Sequence, residues 1–153
     1  EALVGKFFGA RQSAKMTKAV KLLFLWGTGL AVGFTLVYLT GINTILRLLT
    51  SQQELIQQAQ PYIIWVILIP LASFSSFIWD GIYIGATASA AMRNTLLGAT
   101  FLVFAPVYFL LNPFWEIHTL WLAMVLFMLA RGGIQTFLYK RAVIGRMKTI
   151  TAA

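Results

Sequence analysis

The sequence predicts an all-α fold: a polytopic transmembrane helical bundle with four spans and the end of a fifth at its N-terminus. Hydrophobic residues make up 59% of the chain and charged residues only 10%, against about 45–50% and about 25% in soluble domains. Four long apolar runs each approach the roughly 20 residues that cross a hydrocarbon core. Backbone groups in lipid need internal hydrogen bonds, and no alternating β-barrel pattern is visible, so helices are expected.

The basic residues predict the orientation of these helices. Arg47 falls on one side of the membrane, Arg131 falls inside a span, and the other ten Lys and Arg residues share the second side. Those ten are Lys6, Arg11, Lys15, Lys18, Lys21, Arg93, Lys140, Arg141, Arg146 and Lys148. The positive-inside rule places the rich side, and with it the C-terminus, in the cytoplasm. This distribution also explains the net charge of +8 without a nucleic-acid partner.

The chain therefore divides into three regions. Residues 1–21 hold the end of a transmembrane helix and a basic cytoplasmic loop, residues 22–139 hold four transmembrane helices, and residues 140–153 form a basic cytoplasmic tail. The apolar runs themselves cover residues 22–39, 62–79 (continuing weakly to 86), 96–111 and 117–139. Because the chain opens inside what looks like a helix end, we expect it to be a piece of a longer protein. A soluble helical domain is disfavoured, since four exposed apolar runs would aggregate.

Several local patterns refine the helices. The run Ser51-Gln-Gln-Glu54 is typical of a capping box that starts a helix leading into the second span. Pro70 and Pro106 fall inside spans and should kink or locally unwind them. Two small-residue spacings, Gly29-x-x-x-Gly33 and Gly81-x-x-x-Gly85, would permit close helix approach, although such spacings also arise by chance in apolar sequence.

A polar stripe on the second span is the main candidate for function. Its members are separated by 3, 4, 3 and 4 residues, which places them on one helical face: Ser73, Ser76, Asp80, Tyr83 and Thr87. For the serines, helix–helix hydrogen bonding is the simpler interpretation. Asp80 is different, because an ionisable group in a membrane span is costly and usually functional. Its carboxylate would exchange a proton or bind a hard cation such as Na⁺.

The fourth span carries a second set of candidates. Arg131 lies at a depth similar to that of Asp80, so it either pairs with Asp80 or extends to the inner headgroups. Met124, Met128, Arg131 and Gln135 share one face; such methionines pack a core or adapt to varied apolar ligands. His118, near the outer end of this span, is interpreted as a solvated polar tip rather than a proton relay.

The sequence contains no pattern of soluble catalysis. It has no cysteine, hence no disulfide and no thiolate metal site. It also lacks a phosphate-binding glycine loop, a zinc-ligand spacing and a nucleophile–base set. We therefore expect no enzyme activity, no cofactor and no metal site, apart from Na⁺ at Asp80 as an alternative.

Several stretches resemble a known family. Residues 77–94, which include Asp-Gly-Ile-Tyr-Ile-Gly-Ala-Thr and Met-Arg-Asn, resemble the tenth helix and following loop of the multidrug and toxic compound extrusion (MATE) transporters, most closely the DinF-like branch. The opening Glu-Ala-Leu-Val-Gly-Lys-Phe-Phe-Gly-Ala-Arg is similar to the end of that family's eighth helix. Leu-Ala-Arg-Gly-Gly at 129–133 resembles part of the twelfth. The resemblance covers essentially the whole chain, in order.

This resemblance implies a twelve-helix exporter of two six-helix lobes, of which the chain holds the end of helix eight and helices nine to twelve. Such a protein works in the bacterial inner membrane by alternating access, exporting amphipathic or cationic small molecules by antiport with H⁺ or Na⁺. The N-terminal lobe, with the principal proton-linked aspartate of DinF-like members, would lie outside this chain. The candidate cation or substrate residues are then Asp80, Tyr83, Ser76, Thr87, Arg131 and Gln135.

Two other functions stay open at this level. A lipid-precursor flippase of related architecture would need a cavity rich in cations to hold a pyrophosphate. A non-transporting membrane scaffold subunit would instead have tight helix packing and no water-accessible face along residues 73–87.

Overall fold

The computed structural model describes residues 1–147, and within them every regular element is helical. Seven α-helices follow one another: α1 (Ala2–Gly9), α2 (Ser13–Leu49), α3 (Gln53–Ala59), α4 (Ile63–Gly85), α5 (Ser89–Ala99), α6 (Ala105–Trp115) and α7 (Ile117–Tyr139). A 3-10 turn, Gln60–Tyr62, joins α3 to α4, and π-helical turns at Thr100–Phe104 and Lys140–Gly145 join α5 to α6 and extend α7. The all-α prediction is confirmed.

Four continuous helical segments are long and apolar enough to cross a membrane, by length and composition. They cover Ser13–Leu49, Gln53–Gly85, Ser89–Trp115 and Ile117–Gly145. Many of their apolar side chains face outward, including Leu102 at 78% and Phe137 at 87% exposure. So large an apolar exterior needs lipid or protein around it, which agrees with the predicted multi-pass membrane bundle.

The segments are longer than the apolar runs that predicted them. The first begins at Ser13 rather than 22, so the predicted basic loop shortens and Lys15, Lys18 and Lys21 lie on the first turns of α2. The fourth continues through Lys140–Gly145, where the tail was expected to begin. Lys148 and the rest of the predicted tail, residues 148–153, lie outside the described residues.

Helix α4 is the centre of the bundle, because it packs against α2 on one side and α7 on the other. At the end that carries most basic residues, here called the basic end, α1 also packs against α4. A buried cluster joins these helices there; it includes Val4, Met16, Trp79, Tyr83 and Val143. The other end, here called the far end, holds the α2–α3 and α6–α7 connections.

The glycine spacings have different outcomes. A Cβ on Gly85 would lie 2.7 Å from the backbone oxygen of Glu1 and 3.1 Å from Cβ of Val4. The Gly81-x-x-x-Gly85 pattern therefore does permit a close approach, that of α1 to α4 at Gly85. A Cβ on Gly29 or Gly33 would meet nothing within 4 Å among the described residues, so that pattern makes no packing contact within the described chain.

The two prolines also differ. Pro106 is the second residue of α6, which begins where the π-helical turn Thr100–Phe104 ends, so the predicted local unwinding is confirmed there. Helix α4 instead runs through Pro70 without a break. Near it, the Thr35 hydroxyl of α2 donates to the Ile67 carbonyl oxygen at 3.3 Å, the kind of neighbouring contact that lets membrane helices tolerate proline.

The predicted capping box is wrong. Helix α3 begins at Gln53 with Gln52 in the capping position, and no side chain caps it. The Thr50 hydroxyl instead accepts a hydrogen bond from the Gln52 backbone N–H at 3.2 Å. A turn stabilised by threonine has therefore moved the helix start two residues beyond Ser51.

Candidate functional site

The predicted polar faces of α4 and α7 meet at an ion pair. Nη2 of Arg131 lies 2.5 Å from Oδ2 of Asp80, and Nε2 of Gln135 donates to Oδ1 of Asp80 at 2.9 Å. Both carboxylate oxygens of Asp80 are thus engaged by α7. The sequence left Arg131 with two alternatives, and the structure contains the pair rather than an arginine extended to the headgroups.

The helical spacing of α7 explains why two of its residues reach one carboxylate. Arg131 and Gln135 are four residues apart, so their side chains lie one above the other on the same face. Between them Gly132 lets α4 come close: a Cβ there would lie 2.9 Å from Oγ and 3.2 Å from Cβ of Ser75, and 3.3 Å from the backbone nitrogen of Ser76. A glycine next to the arginine therefore sets the distance across which the pair forms.

Neighbouring polar groups of the stripe complete the contact between the helices. The Tyr83 hydroxyl donates to the backbone oxygen of Gln135 at 2.8 Å. The Ser76 hydroxyl contacts the Ser73 carbonyl at 2.9 Å and the Met128 sulfur at 3.5 Å. Ser76 and Tyr83 are fully buried. For the two serines, hydrogen bonding within and between helices is the interpretation that these contacts favour.

The ion pair is largely, but not wholly, shielded. The Arg131 side chain is 10% exposed and that of Asp80 is 19% exposed. Nε of Arg131 and Oε1 of Gln135 are buried, and neither has a hydrogen-bond partner within residues 1–147. A charge in low dielectric interacts strongly with its partner and is costly alone. A proton or cation arriving at Asp80 must therefore compete with Arg131.

Thr87 does not belong to this cluster, and its predicted place on the helical face is wrong. Helix α4 ends at Gly85, and Thr87 lies in the following turn with a φ of 52°. It is exposed, and its carbonyl oxygen accepts a hydrogen bond from Nη1 of Arg146 at 3.0 Å. The 3-and-4 spacing continued in sequence beyond the point where the helix stopped.

The methionine face borders two apolar spaces. Met124 and Met128 line a small cavity of about 60 Å³ against α4 and an open one of about 320 Å³ together with Thr100, Phe104 and Phe127. Neither cavity is lined by Asp80. The methionines therefore lie beside, not around, the ion pair, and both of their predicted roles remain open.

Sequence reasoning missed two contacts made by tryptophans. Nε1 of Trp79 donates to the Thr136 hydroxyl at 2.7 Å, one residue from Gln135. Nε1 of Trp65 donates to Nδ1 of His118 at 3.0 Å, so the partly exposed His118 also has an aromatic partner. A buried indole needs an acceptor for its N–H, and this requirement was the available signal.

Taken together, the fold and the site define a polytopic α-helical membrane protein with an intramembrane Asp–Arg pair. The family model named MatE matches residues 1–112. DNA damage-inducible protein F of Escherichia coli (strain K12) is 33% identical over 132 residues, which is 86% of this chain and 28% of that protein. No solved structure matches the chain.

The chain belongs to the MatE (MATE) family, whose members are transporters rather than enzymes. This finding confirms the resemblance that the sequence motifs indicated, including its DinF-like branch. The chain spans only 28% of the length of the curated relative that it matches.

Proposed function

We propose that this chain is part of the C-terminal lobe of a secondary active exporter of toxic compounds. Its substrates are amphipathic or cationic small molecules, which leave the cell by alternating access in exchange for H⁺ or Na⁺. Membership of the MatE family and the match to DNA damage-inducible protein F support a transporter. The four apolar helical segments support its place in the bilayer.

The proposal includes an orientation. Residues 1–21 would end one transmembrane helix and begin the next on the cytoplasmic side, residues 22–139 would contain the four spans, and residues 140–153 would continue into the cytoplasm of a bacterial cell. The concentration of Lys and Arg at the basic end supports this orientation. An N-terminal lobe elsewhere in the protein would supply the other half of the transport cavity.

The contact of Asp80 with Arg131 and Gln135 carries the mechanistic part of the proposal. Because both oxygens of Asp80 are engaged, H⁺ or Na⁺ would gain access to this carboxylate only when Arg131 moves away. Separation of α4 and α7 at this point would then be linked to cation binding. A ligand shifts such an equilibrium only by its different affinity for the two states, and competition with Arg131 supplies that difference.

The two coupling ions use different atoms of this site. A proton needs only the Asp80 carboxylate. Na⁺ needs several hard oxygen ligands, and the Oε1 atom of Gln135, buried without a hydrogen-bond partner in the described part of the chain, is a second oxygen near that carboxylate. Binding of Na⁺ would therefore need Arg131 to move away and the Gln135 amide to turn its oxygen toward Asp80, while Tyr83 would hold the Gln135 backbone in place through its hydrogen bond.

Substitution of Asp80 tests the proposal. Asp80→Asn keeps the shape of the side chain but removes its charge, so we expect cation-driven export to fall on the order of tenfold, equivalent to about 1.4 kcal/mol in one step of the cycle. Efflux of a fluorescent cation is measured in cells that contain the full-length protein at matched membrane levels. Glu54→Gln, an exposed carboxylate at the far end, is the control. Wild-type efflux by Asp80→Asn would refute a role for Asp80.

The other two functions receive less support. A flippase needs unpaired cations in its core to hold pyrophosphate, whereas Arg131, the buried cation of the described bundle, is paired with Asp80. The buried contacts of Ser76 and Tyr83 agree with tight packing in a scaffold, but family membership favours transport. Single cysteines placed along residues 73–87, in a chain without natural cysteine, would discriminate: labelling by a water-soluble thiol reagent during transport contradicts a scaffold.

A further inference from the structure

An open pocket lies at the far end of the bundle, away from the ion pair. Its volume is about 500 Å³, which is within the range of about 300–1,000 Å³ that is typical of small-molecule sites. It lies between the start of α4 and the α6–α7 connection. The residues that line it are Trp65, Pro113, Phe114, Trp115, Glu116 and His118.

One wall of the pocket is held in place by a hydrogen bond and by contacts between tilted rings. Nε1 of Trp65 donates to Nδ1 of His118 at 3.0 Å, and the His118 ring centre lies 5.0 Å from that of Tyr62. This wall is therefore made of aromatic rings in mutual contact.

The rest of the lining presents apolar rings and one carboxylate. Phe114 is 77% exposed and Trp115 is 58% exposed, so both rings are accessible. The Glu116 side chain has no ion pair or hydrogen bond to any residue in the range 1–147. Its backbone has a φ of 45°, a costly conformation for a residue with a side chain. The strained turn places the single charged group of the lining among aromatic rings.

We infer that this pocket binds an organic cation with an aromatic or apolar body. Tryptophan rings attract cations through the negative face of the ring, and Glu116 supplies an opposite charge that nothing in the described chain neutralises. No Lys or Arg lines the pocket. The inference deepens the proposed function, since it gives the exporter a cation site at the far end, separate from Asp80. The competing role for these aromatics is anchoring at the membrane interface alone.

Equilibrium binding tests the site without any ion gradient. The full-length protein, in nanodiscs of zwitterionic lipid, is titrated with tetraphenylphosphonium by calorimetry. We expect Glu116→Gln to raise the Kd about threefold to fivefold, the effect of one charge contact at an exposed site, and Glu54→Gln to change it less than twofold. Because this binding is measured without an ion gradient, retained binding together with absent transport would count against the antiport alone, so a failure of transport and a failure of the pocket are distinguishable. An unchanged Kd in Glu116→Gln would overturn the inference.

A second measurement serves if Glu116→Gln does not fold. Trp115 touches the proposed ligand, whereas Trp26 is 67% exposed on α2, away from the pocket. Trp115→Phe should therefore remove much of the change in tryptophan fluorescence that tetraphenylphosphonium causes, and Trp26→Phe should not. If Trp115→Phe leaves the ligand-induced change intact, the rings serve only as interface anchors and the pocket is not a cation site.

Discussion

Removing one partner of the Asp80–Arg131 pair should destabilise the bundle strongly. Loss of one member of a buried pair typically costs about 3–5 kcal/mol, because the other charge stays buried alone. Asp80 is 19% exposed and Arg131 10%, so partial solvation places the expected loss near the lower end, about 3 kcal/mol. The neutral hydrogen bonds of membrane helices are worth much less, about 0.6 kcal/mol on average. The magnitude therefore separates an ion pair from ordinary helix–helix contacts.

A double-mutant cycle measures this pair directly. The variants are Asp80→Asn, Arg131→Met and the combination of the two, and the free energy of unfolding is measured by titrating the full-length protein with SDS in mixed micelles. Since the double variant has no unpaired charge, it should be more stable than the sum of the two losses predicts, with a coupling of about 2 kcal/mol. Single losses below about 0.5 kcal/mol that simply add would refute the pair.

Two further predictions concern the packing of α4 on α7, measured with the same SDS titration. Gly132→Ala should lower the free energy of unfolding by about 1–3 kcal/mol through overpacking, because the added Cβ would lie 3.3 Å from the Ser76 nitrogen. Gly133→Ala is the control and should be neutral or slightly stabilising, because its Cβ would meet nothing within 4 Å. Equal effects of the two substitutions would contradict the packing. Tyr83→Phe removes the 2.8 Å bond to the Gln135 carbonyl and should cost about 0.6 kcal/mol and at most about 1.7; an unchanged or raised stability would show that this bond contributes nothing.

The helices and their order could be predicted because lipid imposes strong rules. A run of apolar residues in lipid has few alternatives to a helix, and all four segments appeared where they were expected. Their ends were less predictable. Polar residues such as Lys15 and Lys18 belong to α2, which therefore begins before its apolar run. The predicted helix start at Ser51 is replaced by a local turn at Thr50. Short-range hydrogen bonds, which composition does not reveal, decided these boundaries.

The site was predictable in its members and not in its geometry. Helical spacing placed Asp80 and Tyr83 on one face, and Arg131 and Gln135 on another. That these faces meet depends on how α4 and α7 are packed, which sequence periodicity does not specify. Gly132 is the residue that permits the approach, yet its sequence context resembles that of Gly133, which contacts nothing. Thr87 was misplaced because periodicity carries no information about where a helix ends.

The far-end pocket could not be predicted, because its residues come from separate parts of the chain. Trp65 begins one span, whereas Trp115 and Glu116 lie at the connection between two others. The aromatic residues alone are typical of a membrane interface. The turn at Glu116, with its positive φ, places a carboxylate near these aromatic rings.

Cation-driven export by purified protein tests the central claim most directly. The full-length protein and its Asp80→Asn and Glu54→Gln variants are reconstituted into liposomes, and movement of a fluorescent cation is followed under an imposed H⁺ or Na⁺ gradient. We expect one of the two gradients to drive transport by the wild-type protein and by Glu54→Gln, and Asp80→Asn to respond on the order of tenfold more slowly. Equal gradient-driven transport by Asp80→Asn, or no response of the wild-type protein to either gradient, would contradict the account.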